Sequence, residues 1–275
     1  MFRLEGMIEF RADAAGPGDI CQPIVPVGDI HAGAPGCDWS ALRSIVGWSV
    51  GEGAAIIGMG DFFDLIVPAD PRFDAAEGRD LNAETEYGRL LSVLEPTRGK
   101  WLFSLFGNHE HTLSARGHGN YAERLCRDLG DVPFGGYSCF YTLTARLLDA
   151  DGHRLRSNSL VIYAHHGWFG GRKRGGKINA MEDAAGSYAA DLYLFGHSHD
   201  CVASKRIFLT PGGARERCFV NTGTFYKTNE WGKTSYAERA GYPPTRVGIT
   251  RVLWYPFRQR AIEGGRINGE LTLVT

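Results

Sequence analysis

The sequence predicts an α/β fold in one domain, and three observations carry that expectation. Short apolar runs alternate with longer amphipathic or polar stretches, as strands alternate with helices in α/β proteins. Hydrophobic residues make up 43% of the 275 residues, enough to build a sizeable core. No internal repeat, low-complexity tract or interdomain linker divides the chain, so residues 1–275 read as a single domain.

The elements are taken in chain order. Ile24 to Gly28 is a short apolar run that reads as a strand. Trp39 to Glu52 has helical spacing. Ala54 to Met59 is a second buried strand. Asn82 to Leu94 is a helix that Pro96 ends. The polar stretch Pro68 to Arg79 between them reads as a surface loop. Trp101 to Phe106 is a third strand, and His118 to Leu129 is a helix that stops at Gly130. Tyr137 to Leu147, Ser159 to Ala164 and Asp191 to Phe195 read as strands. Lys205 to Leu209 and Arg217 to Asn221 form a hairpin closed by Thr-Pro-Gly-Gly. Arg246 to Tyr255 and Glu270 to Val274 complete a sheet edge.

Composition excludes several classes. The formal net charge is -1 with 22% charged residues, so no global basic field favours non-specific DNA binding. Any nucleic-acid contact needs a local patch. The six cysteines form no C-x-x-C pair, which leaves zinc-ribbon and thioredoxin-like readings without support. They are expected as free thiols, because a chain this long has a core without staples. Met1 to Phe10 lacks the basic and apolar regions of an export signal, and no run nears the ~18 apolar residues of a membrane span. The expectation is a cytoplasmic protein with no membrane partner.

The chemistry lies in the residues immediately after each buried strand. Gly28-Asp29-Ile30-His31 stands after the first and Gly60-Asp61-Phe62-Phe63-Asp64 after the second. Gly107-Asn108-His109-Glu110 stands after the third. His165-His166-Gly167 and Gly196-His197-Ser198-His199 end two later ones. Open α/β sheets build their sites outside the carboxyl ends of strands. Asp29 and His31 stand two apart, as do His197 and His199, so in extended backbone each pair points one way. A glycine before each ligand lets the backbone turn sharply. Carboxylates, imidazoles and one amide suit Mn, Fe or Zn better than Mg or Ca.

These five blocks, in this order from Gly28 to His199, resemble the calcineurin-like metallophosphoesterases. The pattern is Asp-x-His, Gly-Asp-x-x-Asp, Gly-Asn-His-Asp/Glu, a His near Gly, and Gly-His-x-His. The resemblance covers about two-thirds of the chain, and Val220 to Thr224 is similar to the strand and turn beyond the last block. It implies a four-layer α/β/β/α sandwich with a dinuclear metal site at the C-terminal ends of the strands. It assigns Asp29, His31 and His199 to one metal, Asp61 to a bridge, and Asn108, His197 and a histidine of the fourth block to the second. His165 and His166 both stand at that block, with His166 favoured by its following glycine. The metals implied are two divalent ions, Mn²⁺ first, with Fe, Zn or Ni as alternatives. His109 would act on the leaving oxygen without binding metal, and Asp64 and Glu110 would orient an imidazole or brace a loop.

The reaction so implied is two-metal hydrolysis of a phosphate ester, read here as a phosphodiester. A phosphomonoesterase or protein phosphatase is the alternative. A non-catalytic scaffold of the same fold is a third reading, disfavoured because every ligand position is filled. The basic run Gly170 to Lys177, read as a flexible loop, comes after the fourth block, and Arg172, Lys173 and Arg174 are expected to hold a substrate phosphate, of a nucleotide or a nucleic acid. Trp168, Phe169 and Tyr226 are rings able to stack on a base or other ring, or equally to serve as core or rim residues, the reading preferred for Phe169.

Overall fold

The structure, a computed structural model, describes residues 1–12, 16–68, 70, 73–75, 82–171, 173–211, 213–232, 235–262 and 265–275. Among them run twelve strands in two sheets. Strand β1 (Phe2–Arg11), β5 (Ser138–Leu148), β6 (Arg154–His165), β7 (Leu192–Phe195), β9 (Gly213–Thr224) and β10 (Gly248–Ile249) lie side by side in that order, with β8 (Cys201–Thr210) paired to β9. The other sheet has the order β12 (Gly265–Val274), β11 (Arg251–Ile262), β2 (Gln22–Val27), β3 (Ala55–Met59) and β4 (Trp101–Leu105).

Alternation of side chains builds the layers. Ile24, Ile57, Met59, Phe103 and Leu105 of the five-stranded sheet face Tyr141, Leu143, Ile162, Leu194 and Val220 of the seven-stranded sheet in a shared core. The opposite face of the five-stranded sheet, through Val25, Val27 and Ile56, packs on helices α1 (Trp39–Gly51), α2 (Ala83–Leu94) and α4 (Tyr121–Asp128). The outer face of the seven-stranded sheet, through Tyr163, Tyr193 and Phe219, meets Met181 and Ala184 of α5 (Arg174–Ala184). This is the α/β/β/α sandwich. Strands β2, β3 and β4 are mutually parallel, as are β6, β7 and β9, so both sheets offer carboxyl ends to one edge.

Several elements differ from the sequence reading. Strand β1 is not among the expected elements; its half-buried side alternates with charged residues such as Glu5 and Glu9 and weakens the apolar signal. A further helix, α3 (Asn108–Ala115), starts at the third ligand block and is also not among the expected elements. Helix α4 begins at Tyr121 rather than His118, because Gly117 and Gly119 take φ of 84° and 86° and Asn120 caps the Glu123 amide. The Gly- and Arg-rich segment is not a loop throughout: α5 takes in Arg174, Gly175, Gly176 and Lys177. Most of the Pro68 to Arg79 stretch lies outside the described residues. All six cysteines are free. Among the described residues, no helix is long and apolar enough to cross a membrane.

Candidate metal centre

Five strand ends bring eight polar side chains together. Asp29 and His31 leave β2, Asp61 leaves β3, Asn108 and His109 leave β4, His166 leaves β6, and His197 and His199 leave β7. All but Asn108, His197 and His199 are buried. Among these eight side chains, two groups have ligand atoms within 4.8 Å of one another: Asp29, His31 and His199, and Asp61, His166 and His197; Asp64 makes a further trio with His31 and His109.

The distances define the centre. His31 Nε2 lies 3.0 Å from His199 Nε2, and Asp29 Oδ1 lies 3.2 Å from that same nitrogen. His166 Nε2 stands 3.3 Å from Asp61 Oδ2 and 3.1 Å from Asn108 Oδ1. The Asp61 carboxylate also accepts the His109 amide at 2.9 Å, and Asp29 accepts the His197 amide at 3.0 Å. Asp29 and Asp61 therefore tie the loops of one sheet to each other and to the other sheet.

The backbone reason for this convergence corrects the sequence reading. Asp29, His31, Asp61, His197 and His199 have φ between 47° and 67°. They are not extended, so strand alternation does not set their directions. The left-handed conformation costs a non-glycine residue about 1–2 kcal/mol, and here it is concentrated at functional side chains. His197 and His199 consequently join different groups. Nor do the preceding glycines do all the turning, since only Gly60 among the four has positive φ. Their main service is close approach. A Cβ on Gly107 would lie 2.1 Å from Asp61 Oδ1, and one on Gly196 would lie 2.7 Å from Asp29 Oδ2.

Electrostatics reflect burial and crowding. Burial would raise the Asp61 carboxyl, but the imidazoles of His166, His109 and His31 hold it well below the usual carboxylate range. Burial opposes a proton on His166, yet the Asp61 carboxylate beside it lifts its pKa to about 10. Burial and the neighbouring His109 and His199 push His31 well below the ordinary imidazole value.

The two histidines of the fourth block separate. His166 is fully buried, and its Nδ1 approaches the Met59 carbonyl at 2.7 Å, aiming Nε2 at the cluster. His165 uses Nδ1 to accept the Gly167 amide at 2.8 Å and lies against Trp168. Burial and its two histidine neighbours lower its pKa to about 4. His165 belongs to neither group.

The flanking residues hold this arrangement. His109 Nδ1 donates to the Asp64 carbonyl, which fixes its ring 4.6 Å from that of His31. Asp64 Oδ1 lies 3.9 Å from His31 Nδ1, on the side away from the His199 contact. Glu110 accepts three backbone amides, from Asp61, Phe63 and Gly107, at 3.1, 3.0 and 2.9 Å. One buried carboxylate thereby clamps the loops after β3 and β4.

A pocket of about 270 Å³ opens on the centre. Its floor includes His31, Asp61, Asn108, His109, His197 and His199, and its walls include Ile66, Tyr226, Thr228, Tyr242 and Lys177. Sequence reasoning missed Thr228, Tyr242 and Asp200, whose residue types carry no motif. It also placed Lys177 in a flexible loop. Lys177 is buried, and its Nζ donates to the Ser198 carbonyl at 3.1 Å and to Asp200 at 3.4 Å. Arg174 pairs with Asp200 at 3.2 Å and is largely exposed, as is Lys173. Neither lines the pocket. Arg172 lies outside the described residues. Phe169 packs on Phe195, and Trp168 is half exposed beside them.

The donor set fits divalent metals. In tetrahedral or octahedral shells with bonds of about 2.1 Å, neighbouring ligand atoms lie roughly 3.0–3.4 Å apart. The four separations of 3.0–3.3 Å between facing ligand atoms match that spacing. The mixture of imidazole nitrogen, carboxylate and amide oxygen is that of Mn, Fe and Zn sites.

A family model described as calcineurin-like phosphoesterase matches residues 22–201. No curated protein matches the chain. Among solved structures, it is similar to a conserved uncharacterized protein of Streptococcus pneumoniae TIGR4, described as a predicted phosphoesterase. That match has 13% identity and a TM-score of 0.35, and covers 85% of this chain and 83% of that one. GAP50, described as the anchor in the inner membrane complex of Plasmodium, is 11% identical with a TM-score of 0.45, covering 85% and 81%. Vacuolar Protein Sorting 29 from Cryptosporidium parvum is 14% identical with a TM-score of 0.35, covering 94% and 100%.

Proposed function

The chain belongs to the calcineurin-like phosphoesterase family, whose chemistry is phosphoester hydrolysis, and from that premise we propose a dinuclear, Mn²⁺-preferring phosphodiesterase. The observation that carries this reading is the pair of ligand groups, one of Asp29, His31 and His199 and one of Asp61, His166 and His197, gathered at the same sheet edge. Asp29, His31 and His199 would hold one ion. Asn108, His166 and His197 would hold the other, and Asp61 would serve both. Two bound divalent ions supply Lewis acidity, lowering the pKa of water and offsetting charge on phosphoryl oxygens.

The protein's own groups do the rest. Because His109 Nδ1 donates to the Asp64 carbonyl, the neutral ring carries its proton there, and Nε2 would be the nitrogen that exchanges one. Protonated at Nε2, His109 would donate to the leaving ester oxygen. Asp64 would steady His31 from behind, and Glu110 would keep the Asp61 and Asn108 loops in register.

Charge favours a diester over a monoester. Among the described residues, Lys177 is the only Lys or Arg lining the pocket, and Asp200 already balances it. A diester brings one negative charge to the metals, whereas a monoester dianion would call for a further cation. The test is hydrolysis of bis-p-nitrophenyl phosphate against p-nitrophenyl phosphate. Chelation is expected to abolish diester turnover and Mn²⁺ to restore it. His109→Ala is expected to lower kcat about 10²–10⁴-fold with metal content kept. Full activity in protein shown by elemental analysis to lack metal ends the metal reading. A monoester preference ends the diester reading alone.

A further inference from the structure

The pocket has a wall that the five ligand blocks do not supply. It comes from residues within 226–232 and 235–245, beyond the stretch 22–201 that the family model matches. The wall is anchored at its start. Phe225 is fully buried, its amide donates to the Asp29 carbonyl at 3.0 Å, and its carbonyl accepts the Asp38 amide at 2.7 Å. The Lys227 amide donates to the Gly36 carbonyl at 2.8 Å. Gly36 lies so close that a Cβ there would sit 2.7 Å from the Tyr226 ring. Tyr226 is thereby held with its ring 5.4 Å from that of His31 and 6.0 Å from that of His199.

The segment is closed on itself at Thr228. The Thr245 amide donates to Thr228 Oγ1 at 3.2 Å, and Ser235 Oγ donates to the Thr228 carbonyl at 2.5 Å. Between these ties, the short helix α6 (Tyr236–Arg239) leads into a turn in which the Tyr242 amide donates to the Ala237 carbonyl at 2.9 Å. The segment turns Tyr226, Thr228, Ala237, Tyr242, Pro243 and Thr245 toward the pocket, and Ile66 also lines it. None of these is charged. Tyr242 is 40% exposed, which places it at the mouth.

We infer that residues 226–232 and 235–245, through Tyr226, Thr228, Tyr242, Pro243 and Thr245, are the specificity element of the site, and that they receive an uncharged, ring-sized organic group attached to the phosphoryl centre. The inference rests on the phosphoesterase reading and adds the chemistry of the ester's substituent. Size and charge both point there. A pocket of about 270 Å³ stands just below the roughly 300–1,000 Å³ of small-ligand sites. It has room for one ring beside the phosphoryl group, not for a strand. Flanking phosphates would find no unpaired Lys or Arg among its described lining residues. A flat ring, in contrast, gains apolar contact from two tyrosines, a proline and an isoleucine.

Two phosphonates test this by binding alone. Methylphosphonate and phenylphosphonate carry the same anionic head and differ only in the group the wall would cover. Calorimetric titration into Mn²⁺-loaded protein is expected to show phenylphosphonate binding about tenfold tighter. Tyr242→Ala is expected to bring the two affinities within about threefold, and Tyr242→Phe to keep the preference, since the ring makes the contact. Equal affinities in the unmodified protein, or an undiminished preference in Tyr242→Ala, would overturn the inference. A parallel kinetic arm uses p-nitrophenyl methyl phosphate and p-nitrophenyl phenyl phosphate, which share one leaving group. Failure to hydrolyse either, with the phosphonate preference intact, would count against the diesterase reading and leave the wall standing.

Discussion

The two sheets contribute to one centre by opposite means. The five-stranded sheet supplies Asp29, His31, Asp61 and Asn108, and its loops are held from beneath by an anion, the buried Glu110 carboxylate on three backbone amides. The seven-stranded sheet supplies His166, His197 and His199. Its last ligand turn is held by a cation, the buried Lys177 ammonium on the Ser198 carbonyl and Asp200. The difference reflects which backbone groups each loop leaves unpaired: the first presents N–H groups, the second a carbonyl. It teaches that ligand residues in left-handed backbone need braces of matching sign, because their strain must be offset by contacts nearby.

Removing each brace separates the two sides. Glu110→Gln keeps the shape but turns an NH₂ group toward backbone amides that need an acceptor. Each buried amide so stranded costs about 1–3 kcal/mol. Metal affinity is expected to fall at the upper end of the roughly 10–100-fold typical of groups that orient ligands. Lys177→Met is expected to cost less, about tenfold in metal affinity, because Arg174 still balances Asp200. Equilibrium dialysis with Mn²⁺ and thermal unfolding read both variants. A larger loss for Lys177→Met than for Glu110→Gln would invert the comparison.

The smallest effect is expected at the exposed cations beside the second brace. Lys173→Ala combined with Arg174→Ala removes charges that do not line the pocket. Exposed ion pairs contribute about 0–1 kcal/mol, so KM for a small diester is expected to change less than about twofold. If an oligonucleotide substrate instead loses affinity steeply, with a loss that shrinks as salt rises, these residues contact flanking phosphates.

Legibility in the sequence is uneven for physical reasons. The floor of the site can be read because metal-competent residues stand directly after apolar runs, four of the five blocks behind a glycine, and few other roles collect Asp, Asn and His in that order. The layers are legible because apolar runs such as Ala55–Met59 are buried whole. The directions of Asp29 and His31 are not, since period-two reasoning assumes extended backbone and both are left-handed. Helix α5 is hidden by Gly175 and Gly176, which cost about 1 kcal/mol each in a helix. Burial of Met181 and Ala184 and the tie through Lys177 override that propensity. Beyond Tyr226, the wall is hidden because Thr228, Tyr242 and Thr245 are ordinary residues, and Thr228 and Thr245 are joined by hydrogen bonds across 17 positions.

If the two ligand groups hold two ions with Asp61 common to both, metal stoichiometry reveals it most directly. The protein is stripped, dialysed against Mn²⁺ at saturating concentration and assayed by elemental analysis, alongside Asp61→Asn with its fold checked by circular dichroism. The expected result is about two ions per chain in the unmodified protein, as for two-metal hydrolytic sites, and about one or fewer in Asp61→Asn. A single ion per chain in the unmodified protein, or an undiminished count in Asp61→Asn, would contradict a shared Asp61 bridge.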